Sequence, residues 1–176
     1  LAVLTNVYSD QLDRFVDPEL VVGKLKKIYG FSDHAIVNVN DRNLTQFTDS
    51  SRVTGFGLSS TIEPQPVYAL NFGDSPVIEP AVEVIGTGSQ LVQFQLRVGE
   101  HKLDFKTNAD APHQALNLAA AVTALLKIIE PDWDLVKSTV SALPPVFARD
   151  EVATIRGKDV RFLLCLNPTS FTHSLS

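Results

Sequence analysis

The chain has 176 residues, of which 44% are hydrophobic, and a formal net charge of −5 at pH 7. This composition is typical of a globular protein with a sizeable core, and it offers no basic stripe for binding nucleic acid. The single cysteine, Cys165, and four scattered histidines give no internal disulfide and no spacing typical of a structural zinc site. No apolar run approaches the roughly 20 residues of a transmembrane helix. We therefore expect a cytoplasmic protein that does not span a membrane.

The first part of the chain predicts alternating strands and helices, as in an α/β sheet. Residues 1–5 form a short apolar run suited to a buried parallel strand. A helix is predicted to begin at the capping residue Asp17 and the first-turn proline Pro18, and to end at Gly30. Its expected core-facing residues are Val21, Val22, Leu25, Ile28 and Tyr29. The next two predicted strands are residues 34–40 and 52–58.

The remaining pattern predicts an insertion, a hairpin and two helices. Residues 59–80 are rich in Pro, Ser and Gly and indicate an irregular insertion around a strand at 67–72. Hydrophobic residues alternate from Val92 to Val98, and a Gly99-Glu100 turn completes an antiparallel hairpin over residues 92–105 at a sheet edge. A long helix is predicted from Pro112 to Pro131, followed by a helix at 133–143 and a final buried strand at 160–166. The expected fold is a mostly parallel sheet with flanking helices and this hairpin.

Polar residues follow the first predicted strand. In a parallel sheet, ligands gather at the carboxyl ends of the strands, so Asn6, Asp10 and Asp13 stand where a cation or a phosphate could be held. A solvated loop explains the same residue types, because Asn and Asp are common turn formers. His113 stands at a predicted helix start, where it has two interpretations. It is either a ligand contact or a structural residue that bonds the backbone. Residues 86–88, Gly-Thr-Gly, lack the Gly-Lys-Ser/Thr ending of a phosphate loop and are interpreted as a turn.

Several short motifs occur in a characteristic order. Residues 5–14, Thr-Asn-Val-Tyr-Ser-Asp-Gln-Leu-Asp-Arg, are similar to the Thr-Asn-x-x-x-Asp-His/Gln-Leu-Asp-Arg motif of Mur ligases, with Gln11 in the form found in the MurT branch. Residues 38–41 and 56–58 resemble the family's Asn-Ala-Asp-Asp and Phe/Tyr-Gly-Leu. Residues 113–121, 145–151 and 166–171 resemble His-Asn-x-x-Asn-x-x-Ala-Ala, Pro-x-Phe-Gly-Arg-x-Glu and Lys-Asn-Pro-Ala/Ser-Gly-Phe. Together the motifs resemble the Mur ligase family, closest to MurT.

This resemblance implies a segment of a longer enzyme, and the lack of methionine agrees with a segment. Residues 1–157 would form the second half of a Mur ligase central domain, and residues 158–176 the start of a C-terminal Rossmann-like domain. In the family a phosphate loop precedes this region, so the isolated chain is expected to be inactive. The parent would be an ATP- and Mg²⁺-dependent carbon–nitrogen ligase of peptidoglycan synthesis. It would amidate the D-glutamate of lipid II with ammonia from a glutaminase partner of the GatD type.

The resemblance also implies site residues. The catalytic residues would be Asp13 and Arg149. The nucleotide would contact Asn6, His113, Gln114, Asn117, Arg149 and Asn167. The metal would be held by Asp10, Gln11 and Lys24, the last as a carboxylated lysine. Two alternatives remain open: a Mur-like ligase that adds an amino acid or peptide, and a non-catalytic Mur-like scaffold.

Overall fold

Six strands of the protein pair side by side in the order in which they occur in the chain. The computed structural model describes residues 1–7, 17–59, 78–87, 93–106, 112–143 and 149–163, with only the backbone at 87, 112–113, 149–151, 161 and 163. The strand predicted at 67–72 lies outside these ranges. The six strands are β1 (Ala2–Leu4), β2 (Ala35–Asn38), β3 (Val53–Leu58), β4 (Pro80–Thr87), β5 (Gln93–Val98) and β6 (His101–Lys106).

Strands β1 to β4 run parallel, and β4, β5 and β6 are antiparallel. The sheet is therefore mostly parallel with an antiparallel hairpin at one edge, which confirms the predicted fold class. All four residues of β2 are buried, because a central parallel strand is covered on both faces. In β5, Phe94 and Leu96 are buried while Gln93 and Arg97 are exposed, as the period of two predicted.

The interpretation of residues 86–88 as a turn is wrong for Gly86 and Thr87. Both belong to β4, where Gly86 pairs with Gln95 and Thr87 with Phe94. The register shifts between Val84 and Gly86, so the irregularity takes up Ile85 without ending the pairing. Gly88 lies outside the described residues.

Three helices lie among the described residues: α1 (Pro18–Gly30), α2 (Pro112–Leu126) and α3 (Trp133–Ala142). The predicted start of α1 is confirmed, because the Asp17 side chain accepts a hydrogen bond from the Glu19 N–H at 2.9 Å. Its predicted face is confirmed except at Ile28, which is 52% exposed. Helix α2 ends before Pro131, because the chain turns after Leu126. No helix in the described part of the chain is long and apolar enough to cross a membrane.

Two hydrophobic clusters cover opposite faces of the sheet. Side chains alternate along β2, so Ile36 joins one cluster while Ala35 and Val37 join the other. The first cluster lies under α2 and α3 and includes the inward residues of β4, β5 and β6. The second cluster lies under α1 and includes Val7 and Val22. The parallel part of the sheet is thus covered on both faces, which leaves its strand ends as the accessible edges.

A separate two-stranded hairpin follows α3. It consists of β7 (Arg149–Ile155) and β8 (Lys158–Leu163), joined at Arg156 and Gly157, which both have positive φ. The final strand was predicted to be buried, and this is wrong: Val160 is 37% exposed and Phe162 is 41% exposed. Strand β7 was not predicted. The proposed boundary between residues 157 and 158 falls in the turn of this hairpin.

Candidate site at the carboxyl edge of the parallel strands

The carboxyl ends of β1, β2 and β3 lie side by side and are joined by polar side chains. Asn38, the last residue of β2, donates from Nδ2 to the carbonyl oxygen of Thr5 at 2.9 Å. Asn40 accepts from the Leu58 N–H at 2.7 Å, and its Nδ2 faces the Leu58 carbonyl oxygen at 3.4 Å. The segment after β2 therefore contacts the strand on each side of it.

Two further side chains of this segment hold Val7. The Val7 N–H donates to Oδ2 of Asp41 at 2.6 Å, and the Val7 carbonyl oxygen accepts from Nδ2 of Asn43 at 2.9 Å. The other carboxylate oxygen of Asp41 accepts from the Asn43 N–H at 2.8 Å. We call the four side chains of Asn38, Asn40, Asp41 and Asn43 the clasp.

The electrostatics of Asp41 follow from its burial. Its side chain is only 3% exposed. Burial raises the pKa of the Asp41 carboxyl above its ordinary value, while the amides of Val7 and Asn43 and the charge of Arg42 oppose this shift. Since both oxygens accept backbone N–H groups and water is nearly excluded, Asp41 braces the strand ends and is not presented to a ligand.

The residue that the clasp leaves accessible is Asn6. It lies between Thr5 and Val7, whose backbone groups are bonded by clasp side chains, and its own side chain is exposed. A carboxamide in this position offers one acceptor and two donors to a ligand at the strand ends. Of the predicted site residues, Asn6 is the one that the clasp holds at this edge.

The direction of α2 follows from the surroundings of His34. Desolvation lowers the pKa of His34, and the positive charge of Lys127 lowers it further. His34 precedes β2 and Lys127 follows α2, so the carboxyl end of α2 lies near the amino end of the strand. A 15-residue helix is about 22 Å long. The amino end of α2 is therefore directed toward the carboxyl edge, where the clasp lies.

The other predicted site residues lie partly on the helices, partly where only the backbone is described, and partly outside the described ranges. On α2, Gln114 is half-buried and Asn117 is exposed, one turn apart; Lys24 is exposed on α1. Only the backbone is described for His113, in the first turn of α2, and for Arg149, at the start of β7. The residues that lie outside the described ranges are Asp10, Gln11, Asp13 and Asn167.

A metal site is not formed by the described residues alone. Among them, no three His, Cys, Asp or Glu side chains are grouped closely enough to hold an ion. The predicted Mg²⁺ ligands Asp10 and Gln11 lie outside these residues, so a magnesium site at this edge stays a prediction. The clasp itself had no predicted role, although the density of Asn and Asp after a buried strand is a signal that could have indicated one.

Comparisons with known proteins address the fold. No protein-family model and no curated protein matches the chain. A pseudomurein peptide ligase type C from Methanothermus fervidus superposes on 98% of the chain with a TM-score of 0.76 and 17% sequence identity. MurF from Acinetobacter baumannii superposes on 98% of the chain with a TM-score of 0.73 and 14% identity. The chain has the fold of part of a Mur-type ligase.

The Mur-type fold of this chain corresponds to a fraction of each of these enzymes. The match covers 40% of the pseudomurein peptide ligase and 35% of MurF. Because the match covers 98% of this chain, the likeness includes the six-stranded sheet. At these identities the comparison establishes the fold, and the chemistry must be argued from the residues of this chain.

Proposed function

We propose that this chain is part of an ATP-dependent Mur-type ligase, the MurT-like subunit that amidates the D-glutamate of lipid II. The observation that carries the ligase proposal is the superposition of 98% of the chain on a peptide ligase. The finer MurT-like proposal is supported by sequence, namely by Gln11 in the first motif and by residues 145–151. Peptidoglycan synthesis and a cytoplasmic location are part of this proposal.

The proposed reaction has two steps. The glutamate α-carboxylate attacks the γ-phosphorus of ATP, which forms an acyl phosphate and releases ADP. Ammonia then attacks the carbonyl carbon, and phosphate leaves as the amide forms. Bound Mg²⁺ would neutralise charge on the phosphates. A glutaminase partner of the GatD type would supply the ammonia.

Residues of this chain would bind and orient the nucleotide. Asn6 stands exposed at the strand ends, and the amino end of α2, with Gln114 and Asn117, is directed toward the same edge. Arg149 would stabilise charge on the transferred phosphoryl group, a task suited to a rigid guanidinium with five donors. The motifs propose a catalytic role for Asp13 and metal binding by Asp10, Gln11 and Lys24. They also propose nucleotide contacts for His113 and Asn167.

A second candidate is a ligase that joins an amino acid or peptide. It is favoured by the name of one structural neighbour, a peptide ligase. It is also favoured by composition, because MurT proteins commonly insert a four-cysteine zinc ribbon where residues 59–80 stand, and that stretch contains no cysteine. The two candidates share the activation step and differ in the nucleophile.

The experiment compares nucleophiles in the full-length protein that contains this chain. Lipid II, ATP and Mg²⁺ are incubated with ammonium, with glutamine plus the glutaminase, or with amino acids and dipeptides. ADP release and the mass of the product are measured in each case. The proposal expects ADP and an amide with the first two nitrogen sources. Product only with amino acids or peptides would establish the second candidate, and no ADP with any acceptor would support a scaffold.

A further inference from the structure

The backbone of Val7 is held at both of its polar groups by side chains from another segment. Its N–H bonds to Asp41 at 2.6 Å and its carbonyl oxygen bonds to Asn43 at 2.9 Å. Its side chain is 2% exposed and packs in the second hydrophobic cluster. Strand β1 ends at Leu4, so Asp41 and Asn43 supply the bonds that a neighbouring strand would otherwise provide.

These contacts bear directly on Asn6. Thr5, on its other side, is bonded by Asn38 through the carbonyl oxygen. The backbone of Asn6 therefore lies between two bonded residues, while its side chain is exposed. A group held in this way loses little conformational freedom when it contacts a ligand, which is the physical basis of preorganisation.

We infer that Asp41 and Asn43 are positioning residues, which act through Val7 to orient Asn6 toward the nucleotide at the carboxyl edge. The nucleotide part of this inference rests on the proposed function. Asp41 contributes most, because a hydrogen bond to a buried carboxylate is shorter and stronger than one between neutral groups. An asparagine at position 41 has one acceptor oxygen in place of two, so its amide group would face either the Val7 or the Asn43 N–H.

The test uses three variants of the full-length protein. Asp41→Asn removes one acceptor from the clasp. Asp49→Asn is the matched control, because Asp49 is an exposed carboxylate that bonds only locally, to Ser51, in the described structure. Val22→Ala is the stability control, because Val22 is buried in the same cluster as Val7 but its side chain has no polar group that could bond to the clasp.

Two measurements are made on each variant. Hydrogen exchange with mass spectrometry follows the peptide that contains Val7, and steady-state kinetics give kcat/KM for ATP and for the acceptor. Asp41→Asn is expected to lose protection at Val7 and to lower kcat/KM for ATP by roughly 10- to 100-fold, the range typical of lost supporting contacts. The value for the acceptor, measured at saturating ATP, should fall less. Asp49→Asn should change neither quantity, and Val22→Ala should lower the melting temperature without the selective loss for ATP.

Each contrary outcome has a distinct meaning. Unchanged protection at Val7 in Asp41→Asn overturns the positioning role outright. Lost protection with equal kinetic effects for ATP and acceptor, as in Val22→Ala, also overturns it and makes the clasp purely structural. A wild-type protein that releases no ADP with any acceptor overturns the proposed function, and the exchange measurement then still decides whether Asp41 holds Val7.

Discussion

Gly57 lies where the clasp leaves no space for a side chain. A Cβ atom at this position would come within 3.0 Å of Oδ1 of Asn40 and would also meet Cγ2 of Val39 at 3.0 Å. The Asn40 oxygen cannot move freely, because it accepts the Leu58 N–H at 2.7 Å. Gly57→Ala should therefore displace the Asn40 side chain and break its bonds to Leu58.

The size of the effect follows from these contacts. An unsatisfied backbone N–H costs about 1–3 kcal/mol, and crowding against Val39 adds about 1–2 kcal/mol, at the lower end of overpacking costs. Removing a glycine from a strand returns about 0.5–1 kcal/mol. The net loss of unfolding free energy should be about 1–4.5 kcal/mol, which lowers the urea midpoint by about 0.5–2 M at an m-value near 2 kcal/mol/M.

The assay is urea unfolding, followed by the fluorescence of Trp133, the only tryptophan of the chain. Gly23→Ala is the control, because a Cβ at Gly23 in α1 meets nothing within 4 Å and should stabilise the protein by about 0.5–1 kcal/mol. The double variant Asn40→Ala, Gly57→Ala should lose less than the sum of its single variants, since both delete the same bonds. An unchanged midpoint for Gly57→Ala, or strict additivity, would refute the reasoning.

Three other predictions concern charge. Lys127→Gln should raise the pKa of His34, measured by NMR titration of the imidazole. Lys102→Gln, on β6, should leave this pKa unchanged. If His34 has the same pKa in both variants, the direction inferred for α2 is contradicted. Because burial raises the pKa of Asp41, the stability that the protonated carboxyl contributes is present below the unfolded-state pKa and is lost as pH rises through the folded-state pKa. The stability difference between wild type and Asp41→Asn in urea should therefore narrow as pH rises through that range, and a constant difference would contradict the shift. Arg149→Ala in the full-length protein should lower turnover by about 2–4 kcal/mol of transition-state stabilisation with little change in melting temperature; an equal loss of both would make Arg149 structural.

The sequence alone determined those parts of the fold that depend on neighbouring residues. The start of α1 was predictable because the bond from Asp17 to the Glu19 N–H spans two residues and Pro18 suits the first turn. The hairpin of β5 and β6 was predictable because alternation is a local pattern and Gly99, at φ 56, suits its turn. The order of the family-like motifs along the chain likewise indicates a Mur-type fold.

Burial and the boundaries of some elements depended on more distant contacts. Gly86 and Thr87 continue a strand because Gln95 and Phe94 pair with them. The apolar residues of β8 alternate as a half-buried strand should, yet Val160 and Phe162 remain substantially exposed among the described residues. A pattern reports which side chains could be buried, and the arrangement of the other elements decides which of them are.

Only the tertiary structure showed what the polar residues after β2 do. The side chains of Asn38, Asp41 and Asn43 bond to partners 33, 34 and 36 residues away. Those partners are the carbonyl oxygens of Thr5 and Val7, which every residue carries, and the N–H of Val7, which every residue but proline carries, so no side-chain identity at positions 5 and 7 reveals the pairing. The sequence could indicate Asn6 as a ligand contact. Its position between two residues bonded by the clasp depends on the tertiary structure, because it arises from parallel strands that end at the same edge.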